Sequence, residues 1–101
     1  MQPVLQSFED YQGIVLELWT SVWEHVQASH AEITLSEIAE TLQNPEIVCT
    51  SNWSEQSHLY YKKIREYYKV VVVDQEKQRI KTAYTADKIK PGKVLWNHSN
   101  G

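Results

Sequence analysis

Residues 59–85, LYYKKIREYYKVVVVDQEKQRIKTAYT, constrain the fold more than any other stretch of the chain. Tyr67-Tyr68-Lys69 runs straight into four consecutive valines, Val70 to Val73, and β-branched and aromatic side chains suit a pleated, half-buried surface. Arg65-Glu66 interrupts the pattern in front of them, so 59–64 and 67–73 read as a hairpin. Asp74-Gln75-Glu76-Lys77-Gln78 is a second turn, and the segment after it, from Arg79 to Thr85, begins with charged and apolar residues in alternation, which makes a third strand.

A chain of 101 residues is one domain with room for its own core. Its single cysteine, Cys49, forms no internal disulfide and no multi-cysteine metal centre, and reads as a small core residue in an apolar strand. No charged-then-apolar leader opens the sequence and no apolar run reaches bilayer length, so a soluble, cytoplasmic chain is expected. The net charge of −3 conceals a division: residues 1–61 carry nine acidic and no basic side chains, whereas 62–101 carry ten basic against four acidic. A basic sheet surface attracts phosphate backbones whatever the net charge, because the local field governs encounter within a Debye length. The competing reading is neutralisation within the fold, or between two copies, by the acidic helices.

Taken in order, residues 1–12 are expected as a polar arm, 13–96 as the domain and 97–101 as a frayed end. Residues 13–18 read as a strand. Ser21 with Glu24 has the form of a capping box opening a helix that ends near His30, with Trp23, Val26 and His30 on one face. Thr34 with Glu37 opens a second, whose Leu35, Ile38, Ala39 and Leu42 make the clearest amphipathic pattern present, and Asn44-Pro45 ends it. Residues 46–50 form a short strand, 51–56 a polar loop containing Trp53, and 86–93 a basic connector, after which Val94-Leu95-Trp96 docks. The expected architecture is α+β: two helices on one face of an antiparallel sheet of four to five strands, in the order β-α-α-β-β-β-β.

The three glycines form no phosphate-cradling loop, which argues against nucleotide cofactors. His25 and His30 lie five apart on one helix and point about 140° from each other, so they do not chelate a metal together, and neither metal nor cofactor is expected. The residues suited to chemistry are those two histidines, Glu24, Glu32, the tyrosines and the cations of the second half. Cleaving RNA without a metal requires a base for the 2′-hydroxyl, an acid for the leaving oxygen and cations on the phosphate. His30 with Glu32, or His25 with Glu24, can divide the first two tasks. The alternative for His30 is a histidine satisfied at a helix end beside Trp23, and for the tyrosines it is cross-strand packing.

The ordered fragments Trp23-Glu24-His25-Val26, Ser29-His30-Ala31-Glu32-Ile33, Asn44-Pro45-Glu46-Ile47-Val48, Leu59-Tyr60-Tyr61-Lys62, Val70 to Val73 and Thr82-Ala83-Tyr84-Thr85 resemble small phage- and mobile-element-associated domains of the barnase–EndoU–colicin–RelE-like nuclease superfamily. The resemblance covers about residues 14–96. It implies a metal-independent ribonuclease, often a toxin or effector with an antitoxin or immunity partner. Residue by residue, it implies His25 and His30 as acid–base groups, Lys62 as phosphate stabiliser and Thr82 or Tyr84 as hydrogen-bonding partner. Tyr60, Lys63, Arg65, Lys81 and Lys88 are the expected RNA-binding residues. The chain departs from the pattern at Ala31, where proline is usual, and at Lys62, where arginine is frequent. Lysine holds a phosphate as a point charge, without arginine's two-pronged contact. A non-catalytic RNA- or protein-binding module of the same fold is the alternative.

Overall fold

The chain runs β1 (Val4–Glu9), β2 (Val15–Trp19), α1 (Thr20–Ser29), α2 (Leu35–Gln43), β3 (Ile47–Thr50), β4 (Ser57–Ile64), β5 (Tyr67–Asp74), β6 (Arg79–Ala86) and β7 (Val94–Asn97) in the computed structural model. The structure describes residues 3–52, 54–90 and 92–98; Trp53 of the polar loop and 99–101 of the expected frayed end lie outside them. All seven strands join one sheet in the order β1-β2-β6-β5-β4-β3-β7, with the valine strand β5 at its centre. Its neighbours pair antiparallel along their whole length, from Ser57↔Asp74 to Ile64↔Tyr67 on one side and from Tyr68↔Ala86 to Asp74↔Arg79 on the other.

The α+β class is as expected, but the sheet is larger and mixed. Residues 4–9, expected within a polar arm, are β1, paired antiparallel with β2. Their sequence carries little alternation, and only Phe8 is buried, so the partner strand rather than the pattern makes the edge. β2 meets β6 parallel, through the pair Glu17↔Arg79 and a Glu17 N–H that donates to the Gln78 carbonyl at 3.0 Å. The direction follows from topology: β2 leads into α1, and the long return through α2, β3, β4 and β5 brings β6 back alongside.

The two helices start differently. Thr34 and Glu37 close the expected box, each backbone N–H donating to the other's side-chain oxygen at 3.1 Å. The Ser21–Glu24 box does not form, because α1 begins two residues earlier than a Ser21 cap would set it and Trp19, which caps it, has no side-chain acceptor. Both helices cover one face of the sheet. Val26, Ile33, Ile38 and Leu42 pack there against Leu16, Leu18, Val48, Tyr60, Val71, Val73, Ile80 and Ala83. At the same layer's margin Lys62 and Lys69, cross-strand neighbours, face Glu40 and Glu37 of α2 at 3.9 Å each. Like charges in register would repel, and two carboxylates one turn apart offset that.

Among the described residues, no helix lies on the other face. Ile47, Cys49, Tyr61 and Val70 form a second apolar cluster with Leu59, Tyr68, Val72, Tyr84, Ala86 and Ile89. A bulge between Val72↔Thr82 and Val73↔Ile80 leaves Lys81 as the extra residue of β6.

Beneath the helices lies a buried polar network. Asp10, only 5% exposed, ends β1 and accepts the N–H groups of Gln12 and Ile14 at 2.9 Å each, while Gly13 turns the chain at φ +83°. Its second oxygen accepts the Tyr60 hydroxyl at 2.7 Å, and Gln75 Nε2 donates to that hydroxyl at 3.2 Å. His58 faces the same carboxylate from β4. Burial holds its pKa below the ordinary 6.5, outweighing the opposing pull of Asp10 and of a hydrogen bond to the Glu55 backbone. Below pH 6.5 the unfolded chain therefore binds a proton at His58 before the folded chain does, and stability falls with pH. Urea midpoints measured between pH 7 and pH 5 are expected to drop, and to drop less in His58→Gln. Equal slopes would contradict it.

Candidate functional site

Three elements frame the open face. β6 supplies Lys81, Thr82 and Tyr84; β4 supplies Ser57, Leu59 and Tyr61; and the 86–90 segment adds Asp87, Lys88 and Lys90. With Thr50, Ser51 and Ser54 these line a cleft of about 600 Å³. The Lys81 ammonium donates to Ser57 Oγ at 3.0 Å, which aims the bulge residue across the cleft mouth. Lys63 sits 5.9 Å from the Tyr68 ring, and Arg79 stacks 4.3 Å from the centre of Trp19, whose indole N–H donates to Glu17 at 3.1 Å. Within the cleft, burial pushes the Tyr61 hydroxyl up to about 12, helped by Tyr84 and Cys49, and it raises Tyr84 and Cys49 as well. All three therefore stay protonated at neutral pH, and the tyrosine hydroxyls can donate hydrogen bonds to an anion.

The charge division of the sequence is resolved by these placements. Helix-side Lys62 and Lys69 face α2 carboxylates, while Lys63, Arg79, Lys81, Lys88 and Lys90 remain on the uncovered side. Neutralisation by the acidic helices is seen on the covered face, and a set of cations stands on the other.

His30 closes α1, its N–H donating to the Val26 carbonyl at 2.6 Å. Beyond Arg79 the β6 edge has left β2, and there the His30 ring meets Tyr84, centroids 6.1 Å apart and planes 45° apart. Glu32 follows on the same turn. The Thr85 hydroxyl donates to its Oε2 at 2.8 Å, and Lys69 Nζ donates to Thr85 at 3.1 Å. A hydrogen bond from its own backbone, then Thr85, then the nearby His30 and Lys69, hold the Glu32 carboxyl below its usual range. Glu32, Thr85, Lys69 and Glu37 line a second hollow of about 600 Å³, with Arg65 and Tyr67 at its hairpin side.

The expected site residues thus divide. His30, Tyr84 and Thr82 gather at β6, with Lys81 and Lys88 along the same cleft. His25 is exposed on α1. Lys62 is under α2 beside Glu40 and lines a different pocket. Tyr60, expected to touch RNA, is 1% exposed and bonded to Asp10, because β4 alternation turns it to the helix side and Tyr61 to the open side. Arg65 occupies the exposed hairpin tip in the left-handed region, φ 64°. Sequence reasoning missed the Lys69–Thr85–Glu32 chain and Lys90. The first needed the Lys69↔Thr85 register, which no local pattern displays.

Among the described residues, no group of three or more His, Cys, Asp or Glu is arranged to hold a metal ion. None of the described helices is long and apolar enough to cross a membrane. No protein-family model, no curated protein and no solved structure matches the chain.

Proposed function

We propose that the chain binds RNA across the open face of its sheet and cleaves it by attack of the ribose 2′-hydroxyl, with His30 as the acid–base group. The observation that carries this reading is the contact of His30 with Tyr84 at the rim of a cleft lined by Lys81, Lys88, Lys90 and several hydroxyls. In it the lysines hold the backbone as point charges, the Tyr84 and Thr82 hydroxyls donate to phosphate oxygens, and an aromatic wall stacks unpaired bases. Glu32, bridged through Thr85 to Lys69, fixes the turn that carries His30.

Loss of a positioned proton-transfer group slows such reactions by about 10²–10⁴-fold. His30→Ala is expected to lose cleavage of an unstructured RNA by that order with EDTA present, while retaining binding. A parent-like rate would remove His30 from the chemistry. The placement of Lys62 on the helix side favours a second reading, in which the same face binds RNA without cutting it. That reading predicts no cleavage by the parent chain and an affinity that declines steeply with salt.

A further inference from the structure

Opposite the RNA cleft, at the corner where α2 ends, a pocket of about 540 Å³ is built from three aromatic rings and a set of amides. Tyr11, from the β1–β2 turn, meets Trp96 of β7 with ring centroids 4.9 Å apart, and His98 continues the array, stacked on Trp96 at 6.0 Å and 25°. The array is fixed in place. Trp96 pairs with Val48 across β3, and the His98 N–H donates to the Glu46 carbonyl at 2.9 Å. Gln43 and Asn44, both exposed at the end of α2, border the rings, and Lys62 reaches the same pocket from β4.

We infer that this pocket is a nucleotide subsite, taking a base on Trp96 and His98, its polar edge on Gln43 and Asn44, and its phosphate on Lys62. Aromatic faces bordered by Glu40 would also suit a cation, but Lys62 already stands 3.9 Å from that carboxylate and places a positive charge in the pocket. A cationic ligand would meet it unfavourably; a flat ligand bearing an anion would not. Side-chain amides present both donors and acceptors, as a base edge requires, and stacking on aromatic rings tolerates any base. Glu40 and Lys62 are both partly exposed, and a pair so placed holds weakly, so a phosphate can take over the ammonium. Burial and the neighbouring Asp10 raise the Tyr11 hydroxyl, which stays a donor at neutral pH.

A base arriving here belongs either to a free mononucleotide or to an RNA strand wrapped around the β7 edge, and only the second source rests on the RNA-binding reading above. Indole N–H resonances of the four tryptophans distinguish the sites, with Trp96→Phe identifying the relevant one. Titrating the whole chain with adenosine monophosphate, and separately with an unstructured oligoadenylate, is expected to shift the Trp96 indole saturably. His98→Ala combined with Gln43→Ala, both at exposed positions, should weaken the response about tenfold. Lys81→Gln should leave the mononucleotide response unchanged. Shifts with the mononucleotide alone identify a free nucleotide as ligand, and shifts with the oligonucleotide alone identify a strand; both support the subsite. No Trp96 shift with either probe, or shifts untouched by the double variant, would overturn it. Failure of RNA binding at the open face registers separately, as lost oligonucleotide affinity with the mononucleotide response intact.

Discussion

Replacing Asp10 with alanine is expected to destabilise the chain by about 3 kcal/mol, the order found when one partner of a buried charged hydrogen bond is removed. The carboxylate accepts from the Tyr60 hydroxyl and from two backbone N–H groups of the β1–β2 turn. Tyr60 is 1% exposed, so its donor would be left without water or partner. Burial and Asp10 both push that hydroxyl far above the ordinary tyrosine range, and it remains a donor at any accessible pH. A double-mutant cycle separates this from general disruption: in a Tyr60→Phe background the donor is gone, and Asp10→Ala should cost distinctly less. Urea unfolding of the four variants provides the comparison. If the aspartate costs the same in both backgrounds, the bond has no special role.

The second large effect is expected at Gly92. A Cβ there would lie well inside contact distance of the Thr50 carbonyl oxygen, 3.1 Å from Asn52 Oδ1 and 3.2 Å from Thr50 Oγ1. The carbonyl belongs to the β3 backbone and cannot retreat. Gly92→Ala must therefore lift the connector from β3, where the Thr50 N–H donates to the Lys93 carbonyl at 2.8 Å and the Lys93 N–H to Thr50 Oγ1 at 3.1 Å. A loss of about 2–3 kcal/mol follows from overpacking of this kind. The same segment carries Lys88 and Lys90 over the cleft and packs Ile89 into the open-face cluster, so the proposed RNA affinity should fall together with stability. Retained affinity in a destabilised variant would show that the segment's lysines do not contact the ligand.

The hairpin of the valine strand and the α2 capping box were legible because their signals are local: β-branched runs, an i to i+3 box and a proline stop all act within a few residues. β1 was not, since an edge strand with one inward side chain, Phe8, has almost no periodicity of its own. Nor was the Asp10–Tyr60 bond, which joins residues 50 apart in sequence. Site residues followed the same division. Lys62 and Tyr60 were assigned by residue type and order, yet strand alternation sends both to the helix side, and which side the helices cover is a tertiary fact. The position of His30 at the end of the first helix was visible in sequence. Its ring partner became clear only once β6 was placed.

The parallel junction of β2 with β6 has a dynamic consequence. One paired position, Glu17↔Arg79, and the Arg79–Trp19 stack join two sets of strands that otherwise close their ladders internally. α1 bridges them, packing Val26 among side chains of both β2 and β6. Phe8, Leu16 and Leu18 stay buried in the common core and Asp10 stays bonded to Tyr60, so opening at this seam is confined to the pairing itself, with the β1–β2 hairpin held to the main sheet beneath the helices. His30 stands at the end of the bridging helix. A breathing motion of that seam would carry the histidine toward or away from Tyr84, coupling the geometry of the proposed chemistry to the shortest ladder in the sheet.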